Sequence, residues 1–253
     1  MTENGFQWPS GQQCAVSLTY DDGLPVHYEH VAPTLERAGL RGTFYAVVRS
    51  DLMHHPEKWR ELAAKGHELG NHTLFHPCRR TQDRERWLEE AFDLRQYTPS
   101  RFRSELEVAN LVLNLIDGKI ERSYGNTCCE TVVGQGEKVV LMDDILADLF
   151  VAARGPFNQQ VARITPAMNL MQVGHFGADG RTFEELKAEI EKAAQSGGWI
   201  VYMIHGIGPE THTLYINQPE HDQLVAWLGQ NKDRFWTAPL VDVARYVRES
   251  LDL

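Results

Sequence analysis

The sequence predicts an α/β fold, a distorted (β/α) barrel of TIM-barrel type with about seven strands and a mainly parallel sheet, as a single domain over residues 1–253. Three observations predict it. Short apolar strands alternate with amphipathic helices, no linker of biased composition interrupts them, and several strands end on acids or histidines. The last point matters because barrels of this type carry their reactive groups at the carboxyl ends of strands.

The first strand is residues 14–20, where Val16, Leu18 and Tyr20 alternate with Ala15, Ser17 and Thr19 before Asp21-Asp22-Gly23 ends the run. A helix over residues 26–38, closed by Gly39, leads to a second apolar strand over 42–48, completing a strand-helix-strand unit. A helix over 55–65, stopped by Gly66, precedes a short strand over 68–73. Residues 84–115 read as one or two long helical segments interrupted around Pro99, and residues 117–138 as irregular, polar and glycine-bearing. Helical spacing returns over 142–150, followed by a brief strand over 151–154 before Gly155-Pro156. An amphipathic helix over 183–195 ends at Gly197-Gly198, and the apolar strand 199–204 finishes at His205-Gly206. The chain closes with a helix over 221–231, a strand over 235–238 and a helix over 241–249.

Composition bounds the partners. Apolar residues make up 42% of the 253, enough for a substantial core. A formal charge of −10 and a pI near 5.5 remove the electrostatic reason to expect nucleic acid or an anionic membrane, so a small or neutral substrate fits better. No 18 consecutive apolar residues occur, and residues 1–13 are polar, with Glu3 and Asn4 where a secretory leader needs an apolar run; the expected location is cytoplasmic. The cysteines are Cys14, Cys78, Cys128 and Cys129. With two of them adjacent and no framework spacing, they are read as reduced thiols.

Chemistry concentrates at three predicted strand ends. Neighbouring residues of a strand point to opposite faces, so Asp21 and Asp22 can face one pocket only if the chain turns there, which Gly23 permits. His72 and His76 stand four apart, a spacing that would stack them on one side of a helical turn and aim a nitrogen of each at one ion. With one carboxylate they form a two-histidine, one-carboxylate set with open positions, the pattern of a hydrolytic metal centre rather than a closed structural one. Each piece alone is ordinary turn or surface chemistry. Their joint arrival at one rim, with His205, points to a site.

Four segments carry a resemblance. Ser17 to Gly23 (SLTYDDG), Ala38 to Tyr45 (AGLRGTFY), Gly66 to Pro77 (GHELGNHTLFHP) and Ile200 to His205 (IVYMIH) resemble, in order, the motifs of the polysaccharide deacetylase family, NodB-like carbohydrate esterases on a distorted (β/α) barrel. The resemblance implies Asp21 as general base, Asp22, His72 and His76 as ligands of one divalent ion, and His205 as general acid. The implied ion is zinc, with cobalt, nickel or iron as alternatives. The implied activity is removal of an acetyl group from an N-acetylated or O-acetylated sugar or oligosaccharide. Two family elements are missing in their usual form. In place of the Arg-x-Pro-Tyr-Gly block stand Tyr124-Gly125-Asn126-Thr127 and, later, Ala153-Arg154-Gly155-Pro156; the block with Asp and Trp before the last strand is unrecognisable around residues 173–177. Arg154 is the candidate for the arginine that braces the catalytic aspartate in the family. His67 matches the family pattern and is assigned to the scaffold; His27, His30, His54, His55, His175, His212 and His221 are taken as non-catalytic.

Rival functions use the same residues. A hydrolase of a small non-sugar linear or cyclic amide would use an identical centre, and the missing groove elements favour it. A non-haem iron oxygenase shares the ligand types, but the additional Asp21 and His205 argue for hydrolysis. A carbohydrate-binding descendant without activity would have no need of either.

Overall fold

The structure, a computed structural model, describes residues 5–252; Glu3 and Asn4 of the polar N-terminal stretch lie outside the described residues. Strand β1 (Cys14–Asp21) is buried at every position, as a central strand covered on both faces requires. A π-helical turn, His27–Val31, runs into α1 (Ala32–Arg37), so the first predicted helix exists but begins underwound. Strand β2 (Thr43–Ala46) is followed by a short helix that the sequence pattern does not mark, α2 (Asp51–His54), and then α3 (Pro56–Ala64) and β3 (Glu68–Asn71) follow as expected in kind and place.

Pro99 does not interrupt a long helix; it opens α4 (Pro99–Asp117), with Thr98 as N-cap accepting from the Arg101 N–H at 3.2 Å. The preceding stretch is turns and two 3-10 segments, because the buried Asp93 carboxylate accepts from the backbone N–H groups of Arg80 and Arg95 and offers the chain an alternative to helix. The segment read as irregular contains β4 (Ser123–Gly125) and the first strand of a small antiparallel pair, β5 (Val132–Val133) and β6 (Val140–Leu141). Then come α5 (Asp143–Ala147), β7 (Ala152–Arg154), β8 (Phe176–Gly177) and α6 (Phe183–Ser196), whose N-terminus is a capping box of Thr182 and Glu185. Strands β9 (Trp199–Ile204), β10 (Gly206–Ile207) and β11 (Tyr215–Ile216) precede α7 (Gln218–Gln230), β12 (Phe235–Thr237) and α8 (Leu240–Leu251).

Eight strands form one parallel sheet. Seven lie in the order β7-β4-β3-β2-β1-β9-β8, and the eighth, β12, pairs with β1. Strand β12 shares an edge of β1 with β2: it pairs with Cys14–Val16, and β2 pairs with Thr19–Asp21. A parallel bridge between Arg154 and Val173 draws the β7 end toward the chain that enters β8, so the sheet curls into the expected distorted barrel. Val16, Leu18 and Tyr20 face the helices, packed with Leu35, Leu186 and Leu224.

The other face of β1 looks into the barrel and is polar. Its floor is Glu68, whose buried carboxylate accepts from the Thr43 hydroxyl (2.7 Å), the Ser123 N–H and hydroxyl (both 2.7 Å) and the Val241 N–H (3.1 Å). Four donors on one carboxylate tie β2, β3, β4 and α8 together, so burial leaves no orphaned charge acceptor. Above the floor lies the Tyr45 ring, whose hydroxyl donates to the Ser123 hydroxyl at 2.8 Å, the Ser123 hydrogen being given to Glu68. It fits only because β3 and β4 present glycines there: a Cβ on Gly70 would lie 2.4 Å from the ring and one on Gly125 2.6 Å from it.

The cysteine reading needs correction. Cys78 and Cys128 form a disulfide, with Cα atoms 5.9 Å apart, and only Cys14 and Cys129 are free. Adjacency concealed it. Both Cys128 and Cys129 adopt left-handed backbone (φ 50° and 58°), which sends Cys128 toward Cys78 and Cys129 toward His175, 3.5 Å away.

The Gly70 contact can be tested directly. Gly70→Ala should overpack the barrel interior by about 1–3 kcal/mol and lower Tm by roughly 2–12 °C in a thermal melt. An unchanged Tm would mean that the Tyr45 ring can step aside without loss.

Candidate metal and acid/base site

Six side chains singled out in the sequence meet at the carboxyl rim of the barrel. Asp21 is the last residue of β1; Asp22 and Gly23 both take left-handed backbone (φ 75° and 66°), and this turn swings the Asp22 carboxylate back over the same mouth. Gly23 has no room for a side chain, since a Cβ there would lie 2.8 Å from Ser50 Oγ.

His72 follows β3, but residues 72–77 are a loop, not the helical turn expected from the four-residue spacing. Thr73 and His76 have φ of 69° and 56°, stabilised by side-chain hydrogen bonds: the Thr73 N–H donates to Asn71 Oδ1 (2.7 Å) and the His76 N–H to Thr73 Oγ1 (2.9 Å). The loop still brings the rings to 5.0 Å between centroids. Nε2 of His72 lies 3.6 Å and Nε2 of His76 3.4 Å from Asp22 Oδ1, and the three donor atoms are mutually within 4.8 Å.

The donors are in the state a cation needs. His72 Nδ1–H donates to the Gly125 carbonyl at 2.7 Å, leaving the Nε2 lone pair toward the site. Burial lowers His76 to about 4, so it is neutral at pH 7. Burial pushes Asp22 up, but the neighbouring His72 and His76 more than reverse this and hold its carboxyl well below the usual carboxylate range. Two neutral imidazoles and an ionised carboxylate fit one divalent ion.

Asp21 is held differently. Arg154 Nη1 donates to Asp21 Oδ1 at 2.7 Å and to Thr19 Oγ1 at 2.7 Å, while Nη2 donates to Asp21 Oδ2, a two-pronged contact between buried partners. The guanidinium also lies 4.9 Å from the Tyr45 ring centre. Burial raises Asp21, but Arg154, with His72 assisting, brings it down to about 2. At neutral pH it is a carboxylate.

His205 follows β9. Its Nδ1–H donates to Asp179 Oδ2 at 2.6 Å and its backbone N–H to Asp179 Oδ1 at 3.1 Å. Burial opposes the charge on this ring, but Asp179 and then Asp21 raise it to about 9. Asp179 escaped the sequence analysis, although it stands two residues beyond β8 and before Gly180, the same acid-glycine signature as Asp22-Gly23. His212, taken as non-catalytic, also sits on the rim: its ring stacks on His205 at 5.4 Å and 9°. Other histidines belong to the scaffold. His27 Nε2–H donates to the His205 carbonyl (2.9 Å), His67 Nδ1 accepts from the Gly42 N–H (3.1 Å), and His221 meets the Tyr20 hydroxyl (3.0 Å). Burial raises the Cys129 thiol and lowers His175 to about 3, so that pair stays uncharged and supplies no thiolate.

Residues 10–125 match the family model described as polysaccharide deacetylase. That match covers just under half of the chain, its N-terminal part, and includes Asp21, Asp22, His72 and His76. A structure from Mycobacterium smegmatis, described as a polysaccharide deacetylase, shares the fold: TM-score 0.66, 16% identity, 98% of this chain and 95% of that one covered. A chitooligosaccharide deacetylase from Sinorhizobium fredii is 38% identical over 64 residues, 25% of this chain and 29% of that protein. A gellan lyase from a Bacillus species is 23% identical over 266 aligned positions, 96% of this chain. The chain thus spans 10% of the gellan lyase and under a third of the chitooligosaccharide deacetylase. The family match ends at Gly125, so Arg154, Asp179 and His205 stand beyond it, and their place at this rim comes from the sheet topology.

The Asp179 contact predicts a titration. Asp179→Asn removes the carboxylate that supports the imidazolium, so in metal-free protein His205 should titrate well below about 9, toward the ordinary 6.5. Ring NMR against pH measures this; an unmoved midpoint would leave Asp21 and Asp22 as the groups that hold the proton.

Proposed function

We propose that this protein is a metal-dependent hydrolase that removes an acetyl group from an N-acetylated or O-acetylated sugar or oligosaccharide. The observation that carries the reading is the pairing of opposites around one cation-binding set: an ionised, buried Asp21 and a protonated His205, both beside Asp22, His72 and His76. Separated acid and base with divergent proton affinities are what amide hydrolysis needs. The family and the chitooligosaccharide deacetylase relative support a sugar as the carrier of the acetyl group.

Asp22, His72 and His76 would hold the ion, zinc or another divalent metal that accepts nitrogen and oxygen ligands. Bound there, it would supply Lewis acidity toward water and the acyl oxygen. Asp21 accepts a proton as the water oxygen bonds to the acyl carbon, and Arg154 keeps it oriented and deprotonated between turnovers. His205 then gives its proton to the departing nitrogen as the C–N bond breaks, releasing acetate and the amine. Asp179 holds the ring by Nδ1, so Nε2 is the atom that faces the leaving group. With a cation beside Asp22, the negative field on His205 weakens and its proton affinity falls from about 9 toward the range where a general acid works near neutrality.

Acetate release from N-acetylated chitooligosaccharides and from acetylated xylan, before and after chelation and after metal is restored, tests the reading. Release that depends on metal is expected. Turnover confined to small non-sugar amides would overturn the sugar assignment and keep the hydrolase.

Two sets of variants separate the roles. Asp22→Ala or His76→Ala should strip the metal from purified protein, whereas Asp21→Asn should keep it and lose about 10²–10⁴-fold in kcat; equal metal loss in all three would merge base and ligand. Arg154→Met should keep the metal and raise the acid limb of the pH-rate profile. A base works above its pKa, and removal of the guanidinium leaves burial to push Asp21 up from about 2, so activity disappears at a higher pH than in the wild type.

A further inference from the structure

After His205 the chain doubles back over the mouth of the barrel, and the loop between β10 and β11 carries His212. The approach is close: a Cβ on Gly206 would lie 2.5 Å from Thr211 Oγ1 and 2.7 Å from His212 Cβ. Thr211 Oγ1 accepts from the Ile207 N–H (2.8 Å) and donates to the Gly208 carbonyl (3.0 Å), and the Gly206 N–H donates to the Leu214 carbonyl (3.0 Å). His212 is therefore placed by backbone geometry as well as by its own ring.

The neighbouring backbone favours one tautomer of its ring. His212 Nδ1 lies 3.0 Å from both the N–H and the carbonyl of Leu214; the carbonyl already accepts from the Gly206 N–H, so the tautomer in which Nδ1 accepts from the Leu214 N–H satisfies both backbone groups. With the Nδ1 lone pair engaged, Nε2 carries the hydrogen and offers a donor, not a metal-ligating lone pair. That Nε2 lies 3.7 Å from Asp22 Oδ2, beyond hydrogen-bond distance, and Oδ2 is the oxygen not approached by His72 and His76, which face Oδ1. The donor therefore stands at the edge of the cation set, stacked on the acid His205, and 28% of the side chain is exposed toward the mouth.

We propose that His212 is a further catalytic residue, whose Nε2–H donates to the carbonyl oxygen of the bound acyl group and to the oxyanion that forms there. The leaving nitrogen belongs beside His205 and the acyl oxygen beside the cation held by Asp22, and His212 stands between the two. This assignment rests on the acyl-hydrolase reading above.

The experiment uses the zinc-loaded full chain and the variants His212→Ala and His212→Gln. With N-acetylated chitooligosaccharide as substrate, His212→Ala should lower kcat about 10²-fold with KM moved only a few-fold and metal content retained, because a donor aimed at developing charge acts mainly on the transition state. His212→Gln, which keeps a side-chain N–H, should recover at least about tenfold of that. Full kcat in His212→Ala overturns the proposal. So does metal loss, which would make His212 a support for Asp22, and so does a Gln variant as slow as Ala, which would make stacking on His205 the contribution. Acetate binding by calorimetry separates this inference from the function it rests on: affinity should fall about tenfold in His212→Ala whatever sugar the enzyme accepts, as expected for one hydrogen bond to a charged oxygen. Equal acetate affinity in both proteins counts against His212, whereas absence of acetate release from the wild type counts against the deacetylase reading alone.

Discussion

The buried contact between Arg154 and Asp21 is the constraint around which the rim is organised. It joins β7 to β1 across the barrel mouth, with three sheet neighbours between them. Both charges are buried, so each would be costly to leave unpaired, and the pairing restricts where β7 can lie relative to β1. Thr19, one pleat below Asp21, takes a second hydrogen bond from the same guanidinium, and Tyr45 lies under it. The ring of Tyr45 in turn requires Gly70 and Gly125 on the next two strands. One ion pair thus dictates side-chain size on three strands.

The same strands orient the candidate metal-ligand set. Gly125 has a double duty: its missing side chain makes room for Tyr45, and its carbonyl accepts from His72 Nδ1. Beyond it the chain turns to Cys128, whose disulfide to Cys78 ties this loop to the one that carries His76. The supports of His72 and His76 are therefore linked covalently. Two histidines that sit on a loop are thus braced by a hydrogen bond on one and a crosslink beside the other, which limits their motion.

Charge is graded across the mouth by the second partner of each titratable group. Asp21 and Asp22 are both ionised, yet one is covered by a guanidinium and the other left open to a cation. His76 is neutral, while His205, on the same rim but backed by Asp179, retains its proton. Residue type alone would not separate these histidines. The partner behind the ring does.

Much of the architecture is legible locally. The alternation in residues 14–20, the Gly39, Gly66 and Gly197 stops, and the acids and histidines at strand ends specify strands, helices and a reactive rim, because these signals lie within a few residues of each other. The 84–98 stretch is not legible in this way, since hydrogen bonds to the Asp93 side chain override its helical spacing and leave Pro99 to start a helix rather than break one. Strand β4 is hidden because it is three residues long and stabilised by neighbours rather than by pattern. What only the tertiary structure decided are the partners: Asp179 for His205, His212 over the mouth, and Cys78 for Cys128, separated by 26, 7 and 50 positions respectively. The Asp179 and Cys78 meetings follow from strand order, with β8 beside β9 and β4 beside β3, and strand order is set by how the whole sheet buries its two faces, which no short segment of the chain encodes; His212 reaches His205 through the β10–β11 pairing.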